Sequence, residues 1–104
     1  ENALYIRLID EGYTVVKGRI TKGKDFLEYI SFVCTKNSKK IYLQISPFAA
    51  GASEQIRKRQ ALLAVRDAWP KYLIGEEDES VQGDGIIGLS ARKILYEGIE
   101  RSLG

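Results

Sequence analysis

Three strand-like segments follow one another in the first half of the chain, and only short polar turns separate them. Each segment is rich in β-branched and aromatic residues, which favour strands. The three segments are residues 13–20, 26–35 and 40–46, and the turns are residues 22–25 and 36–39. Because a parallel pair needs a crossover of about a dozen residues, the short turns constrain this stretch to an antiparallel meander.

Helical patterns lie on both sides of the meander, and two short strands follow it. The predicted helices cover residues 1–11, 54–68 and 91–103, and the two further strands cover residues 71–74 and 85–89. The order is therefore α-β-β-β-α-β-β-α. We expect one domain over residues 1–104, with an α/β (α+β) fold in which helices flank a mixed sheet of about five strands. The fourth strand should run parallel to a neighbour, because a helix connects it to the meander.

The middle helix and the corner that follows it should supply much of the core. Ile56, Leu62, Val65 and Trp69 form the predicted apolar face of the helix, and a proline directly after Trp69 ends it. We expect Trp69 to be buried together with Tyr72, which opens the next strand. The only cysteine of the chain lies among apolar strand residues, so it is predicted to be buried and unreactive.

Composition excludes several classes of protein. No apolar run approaches the roughly 20 residues that a membrane span needs, and no signal peptide is visible. A single cysteine cannot form an internal disulfide, which predicts a cytoplasmic location. The chain has no histidine, the commonest general base and metal ligand. It also has no methionine and opens at once in a helical pattern, so we expect a fragment of a larger protein.

The net charge of +2 is modest, but the charges are segregated along the chain. Basic groups occur in and around the two turns and on the middle helix. The residues predicted to contact nucleic-acid phosphate are Arg57, Lys58, Arg59, Lys39 and Lys40. The alternative is that these residues form ordinary solvated surfaces. The acidic segment 76–79 is predicted to be a solvated loop, or a docking site for a basic partner.

Four segments together resemble a known family. They are residues 1–5, 40–46, 62–74 and 84–86. With the order of elements, they resemble the C-terminal domain of unknown function that follows the motor in a group of bacterial and archaeal AAA-type ATPases. The fold that this resemblance implies is the restriction-endonuclease-like fold of the PD-(D/E)XK nucleases, which Holliday-junction resolvases share. The resemblance spans almost the whole chain. It implies that an ATPase module, with its ATP and Mg²⁺, lies upstream, and that this fragment itself binds no cofactor.

The resemblance also identifies the positions at which the nucleases hold their metal. In that family an acid on the first helix, an Asp on the second strand and an acid-x-Lys on the third bind Mg²⁺ and activate water. The matching residues here are Glu1, Ser31, Gln44 and Ser46, so no catalytic residue and no metal site is predicted. Ser31 and Gln44 could line a polar pocket or form local hydrogen bonds. Glu28 could replace the missing acid, although strict alternation places it on the face opposite Ser31.

Three functions remain open from the sequence. The first is a non-catalytic, nuclease-like accessory domain of an ATPase, which contacts its own upstream module or a partner protein. The second is a DNA-binding module that keeps the fold without the cutting chemistry. The third is an active metal-dependent nuclease that uses a displaced acid. Fold resemblance alone does not decide between them.

Overall fold

The computed structural model describes residues 2–22, 24–45, 52–75 and 85–99. The elements are α1 (Asn2–Asp10), β1 (Thr14–Lys22), β2 (Asp25–Lys36), β3 (Lys39–Ile45), α2 (Ala52–Leu63), β4 (Lys71–Gly75), β5 (Ile87–Ser90) and α3 (Ala91–Glu97). Their order is the predicted one. Glu1, Ser46 and the acidic segment 76–79 lie outside the described residues. No helix in the described part of the chain is long and apolar enough to span a membrane.

The described strands form one mixed sheet in the order β1-β2-β3-β4-β5. β1, β2 and β3 pair antiparallel, whereas β4 pairs parallel with both β3 and β5. This confirms the meander, the parallel fourth strand and the general α+β class. The turn between β2 and β3 places Asn37 and Ser38 at φ 52° and 65°, which is the conformation that the tightest hairpins use.

Helices cover both faces of the sheet. One face packs against α1 and α3, with a core of Leu4, Leu8, Tyr13, Phe32, Cys34, Ile41, Leu43, Tyr72, Ile74, Leu89, Ile94 and Ile99. The other face packs against α2, with a smaller core of Ile30, Tyr42, Ala61, Leu62 and Ile86. Side chains of β3 and β4 therefore alternate between two apolar layers, which explains why their central residues are nearly all hydrophobic.

A bulge in β2 interrupts that alternation. Val16 pairs with Val33, but Gly18 pairs with Ile30, so two steps along β1 match three along β2. As a result, Ile30 faces α2, whereas Phe32 faces the opposite core. A Cβ at Gly18 would lie 2.9 Å from Val33 Cγ2 and 3.0 Å from Ile30 Cβ. The bulge is therefore possible because β1 has a glycine opposite it.

The prediction for the middle helix was wrong in two respects. α2 ends at Leu63 and not at residue 68, and its buried residues include Ala61 as well as Leu62. Ile56 is 57% exposed and Trp69 is 39% exposed, so neither belongs to the core. At the end of the helix the Ala64 N–H donates to the Gln60 carbonyl at 3.0 Å and the Val65 N–H to the Leu62 carbonyl at 3.2 Å. In the turn that follows, the Trp69 N–H donates to Asp67 Oδ1 at 3.1 Å. Tyr72 is buried, as predicted.

The last predicted helix is interrupted at Gly98. The structure assigns α3 to Ala91–Glu97 and a helical state to Ile99, and residues 100–103 of the predicted helix lie outside the described residues. Gly98 follows with φ 90° and donates its N–H to the Ile94 carbonyl, a glycine helix end. The predicted cap is present, since the Ser90 hydroxyl accepts the Lys93 N–H.

Candidate functional site

The structure brings Ser31 and Gln44 together at the bulge. The N–H and the hydroxyl of Ser31 both donate to Gln44 Oε1, each at 2.8 Å. Gln44 Nε2 donates to the carbonyl oxygens of Tyr29, at 3.0 Å, and Lys58, at 3.2 Å. The Ile45 N–H donates to Ser31 Oγ at 3.0 Å. We call this hydrogen-bonded pair the Ser31–Gln44 brace, and it ties β2, β3 and α2 to one another.

The brace uses the full hydrogen-bonding capacity of a glutamine amide. Gln44 is 0% exposed, and its oxygen accepts two hydrogen bonds while its NH₂ group donates two. A carboxylate in this position would face the carbonyl oxygens of Tyr29 and Lys58 without a proton to donate. These residues therefore do not fit a Mg²⁺ ion, which prefers several unshared oxygen ligands, carboxylates among them. Of the two readings that the sequence left open for Ser31 and Gln44, the structure supports local hydrogen bonding.

Glu28 lies on the α2 side of the sheet and is held by Arg57. Its Oε2 is 2.7 Å from Arg57 Nε, and its Oε1 accepts the Tyr29 N–H at 3.0 Å. Burial opposes ionisation, but the hydrogen bonds from Arg57 and Tyr29 outweigh it and lower the pKa of Glu28. Strict alternation, which separated Glu28 from Ser31 in the sequence, does not hold across the bulge. Among the described residues, no three acids, cysteines or histidines cluster as a metal site.

The predicted phosphate-binding residues do not converge on one small site. On α2, Arg57 is paired with Glu28, and the carbonyl of the next residue accepts from Gln44. Lys39 lies at the other end of β2, where it pairs with Lys36. Glu28 and Lys36 are eight residues apart along β2, which corresponds to roughly 25 Å. Lys40 lies near that turn, with its Nζ 5.9 Å from the ring centroid of Tyr42. Arg59 lies on α2 and is half-buried.

Lys17 and Arg19 form a basic cluster in the sequence, but the sequence does not show that they share a surface with aromatic rings. Lys17 and Arg19 of β1 lie over aromatic rings of β2, with Lys17 Nζ 4.6 Å from the Tyr29 centroid and Arg19 Cζ 5.1 Å from the Phe26 centroid. The two ring centroids are 4.7 Å apart. The cations and the rings can be identified in the sequence. Only the pairing of the two strands shows that they lie together.

A cleft of about 370 Å³ adjoins this surface between α1 and the sheet. Its lining residues are Asn2, Tyr5, Val15, Val16, Lys17, Ser31 and Phe32. The Tyr5 and Phe32 rings lie 6.2 Å apart, centroid to centroid, along its wall. The one charged group in this lining is Lys17, and the described lining contains no carboxylate. The cleft thus suits an anionic or neutral ligand better than a metal ion.

Two other unusual groups have structural roles. The Tyr42 hydroxyl donates to Asp67 Oδ2 at 2.5 Å, and Lys71 Nζ bonds Asp67 Oδ1 at 3.2 Å, which fastens the corner before β4. Burial, then the bond to Asp67 and its charge, raise the pKa of Tyr42 to about 12. Burial also raises the pKa of the Cys34 thiol to about 12. A thiol that stays protonated is a poor nucleophile.

Comparison of the sequence with models of known protein families and with curated proteins gives no match.

Proposed function

We propose that this chain is a non-catalytic domain of the restriction-endonuclease-like fold, which serves an AAA-type ATPase as an accessory module through protein contacts. The order of elements and the mixed sheet, with its meander and parallel crossover strand, support this relation. The ATP and Mg²⁺ of such a protein would be bound by the upstream module. The one cysteine is buried and unpaired, which supports a cytoplasmic location.

The Ser31–Gln44 brace is the observation that carries the non-catalytic part of the proposal. The two positions that match metal ligands of the nucleases hold a hydroxyl and an amide, and both are engaged in structural hydrogen bonds. Glu28, the candidate substitute acid, forms an ion pair with Arg57. Among the described residues it is not grouped with a second carboxylate. A polar network of this kind ties the sheet to α2 when every group is satisfied. The brace therefore supports a structural role for these residues and not a catalytic one.

The outer side of α1 supports the contact part of the proposal. Leu4 and Leu8 are buried against the sheet, while Tyr5, Ile6 and Ile9 are exposed. Ile9 is three positions after Ile6 and four after Tyr5, so the three exposed residues lie on one side of the helix. A continuous apolar stripe on a surface is typical of an interaction site. We assign this stripe to the upstream ATPase module.

Crosslinking of the full-length protein tests the contact. We expect lysines near α1 to crosslink to the ATPase module, and Ile6→Glu to abolish those crosslinks because it places a charge in the apolar interface. Tyr96→Glu places the same charge on α3, at a side chain that is 81% exposed against 51% for Ile6, and is the control. Crosslinks that persist in Ile6→Glu would refute the assignment. DNA cleavage with Mg²⁺ or Mn²⁺ that disappears in Glu28→Ala would refute the non-catalytic proposal.

Binding of duplex DNA through α2 is the second candidate. The Arg57 side chain remains 56% exposed although it is paired with Glu28, and two further basic residues follow it on the same helix. This candidate predicts an affinity that falls steeply with salt, because each phosphate contact releases counterions. Duplex affinity that is unchanged in Arg57→Ala or independent of salt would exclude it.

A further inference from the structure

We propose that the outer face of the β1–β2 hairpin binds single-stranded nucleic acid. We call this face the hairpin surface, and its residues are Lys17, Arg19, Phe26 and Tyr29. These four residues are not among the α2 residues of the duplex-binding candidate or the apolar stripe of α1, although Tyr5 of that stripe lines the adjoining cleft. The inference goes beyond the proposed function, since it does not require an upstream ATPase or a nuclease-like ancestry.

Strand pairing places these four residues on one face. Arg19 pairs directly with Tyr29, and the next residue pair, Ile20 with Glu28, faces α2. Because neighbouring residues of a strand point to opposite faces, Arg19 and Tyr29 face away from α2. Phe26 and Tyr29 are each 42% exposed, so helices cover this end of the sheet on one side only. The hairpin thus presents two adjacent rings to solvent.

The charges on this face favour an anion. Lys17 and Arg19 are exposed, and each lies over an aromatic ring. In the described part of the chain, neither is paired with a carboxylate. The two acids of β2 have other neighbours: Glu28 is tied to Arg57 on the opposite face, and Asp25 pairs with Lys22 at the end of the hairpin. Two cations without acidic partners raise the local concentration of a polyanion. Nucleic acid is a polyanion whose bases also provide flat groups that can stack on the rings.

Stacking explains why the ligand is a single strand. Unpaired bases stack on exposed aromatic side chains, whereas bases in a duplex already stack on each other. An exposed contact between a cation and a ring is weaker than the stacking of a base on that ring. A base can therefore displace Lys17 or Arg19 from its ring, and the released cation can contact the phosphate that follows. The cations are two residues apart on β1, roughly 7 Å, so they can meet different phosphates of one strand.

The cleft beside α1 extends the same surface. It shares Lys17 with the hairpin surface, and its wall carries Tyr5 and Phe32. Its volume of about 370 Å³ lies at the lower end of the range for small-ligand pockets. A strand that stacks on Tyr29 can place its next base in this cleft, beside Lys17.

Fluorescence anisotropy with labelled dT12 at low salt tests the proposal. We expect the double variant Phe26→Leu/Tyr29→Leu to weaken binding by roughly tenfold or more, because leucine keeps apolar area but offers no ring. For Lys17→Ala/Arg19→Ala, the dependence of log affinity on log salt should lose about 1.4 units of slope, the value for two phosphate contacts to a single strand. Tyr96→Ala and Lys93→Ala, on exposed positions of α3, are the matched controls and should bind as the unaltered protein does.

Circular dichroism and thermal melting verify that each variant is folded, and the single variant Phe26→Leu replaces the double one if that pair unfolds. Unchanged dT12 affinity in the ring and charge variants would overturn the proposal. Preference for duplex DNA over dT12, lost in Arg57→Ala, would overturn it in favour of the α2 candidate. Binding of the peptide (Glu-Val)₄ to this surface, without binding of dT12, would overturn it in favour of an acidic protein partner. The Ile6→Glu variant should bind dT12 normally, so the two proposals fail independently.

Discussion

Replacing Gln44 by methionine should destabilise the domain without changing its shape. Methionine has nearly the length and volume of glutamine but cannot form the four hydrogen bonds of the brace. The Ser31 N–H and the carbonyls of Tyr29 and Lys58 then lose their partner. The Ser31 hydroxyl still accepts the Ile45 N–H, so it is less affected.

The expected loss of stability follows from the burial of those partners. A buried polar group without a partner costs about 1–3 kcal/mol. Ser31 and Lys58 are half-buried and Tyr29 is exposed, so water reaches part of the site and the lower end of that range applies. Removal of a buried amide from the core recovers about 1 kcal/mol of the loss. We therefore expect Gln44→Met to lower the free energy of unfolding by about 2 kcal/mol and Tm by roughly 8–15 °C.

Urea unfolding followed by circular dichroism measures this change. Gln60→Met makes the same substitution at an exposed position of α2, so it should alter the free energy of unfolding by less than about 0.5 kcal/mol. In a double-mutant cycle with Ser31→Ala, the two losses should not add, because both remove the same bond. A change below about 0.5 kcal/mol in Gln44→Met would refute the claim that the brace holds the sheet to α2.

Two predictions concern pH. The pKa of Glu28 is lowered in the folded state. The stability that this carboxylate contributes is therefore present at neutral pH and is lost as the pH falls through the folded pKa. Glu28→Gln should flatten this part of an acid unfolding curve. The pKa of Tyr42 is raised to about 12, so stability should fall as the pH rises from 10 towards 12, and Tyr42→Phe should remove this fall. An unchanged acid slope, or titration of Tyr42 near pH 10 in ultraviolet absorbance, would contradict them.

The order of elements was predictable because local signals specify it. Turn residues, strand-forming runs and glycine or proline stops act over a few positions, and they located the eight elements of the described part of the chain. The end of α2 was predicted less well. The apolar spacing continues to Trp69, but the helical hydrogen bonds stop at Ala64, and the Val65 N–H donates instead to the Leu62 carbonyl.

The candidate site was predictable only in part. The sequence identified Ser31 and Gln44 as the two positions that lack the acids of the nuclease pattern, and the structure shows them bonded to each other. The brace itself depends on a bulge, which shifts pairing by one residue and cannot be read from alternation. The basic residues of α2 were visible in the sequence, but the ion pair between Arg57 and Glu28 joins positions 29 residues apart.

The sequence by itself determined the class of the fold, the meander and the absence of the acidic pattern, because these depend on residue type and short-range order. The tertiary structure alone decided which side chains meet. Strand register placed Lys17 and Arg19 over the rings of Tyr29 and Phe26, and the β2 bulge turned Ile30 and Phe32 to opposite cores. Register is a property of two strands together, so a one-residue shift that is invisible in either strand changes the chemistry of the whole surface.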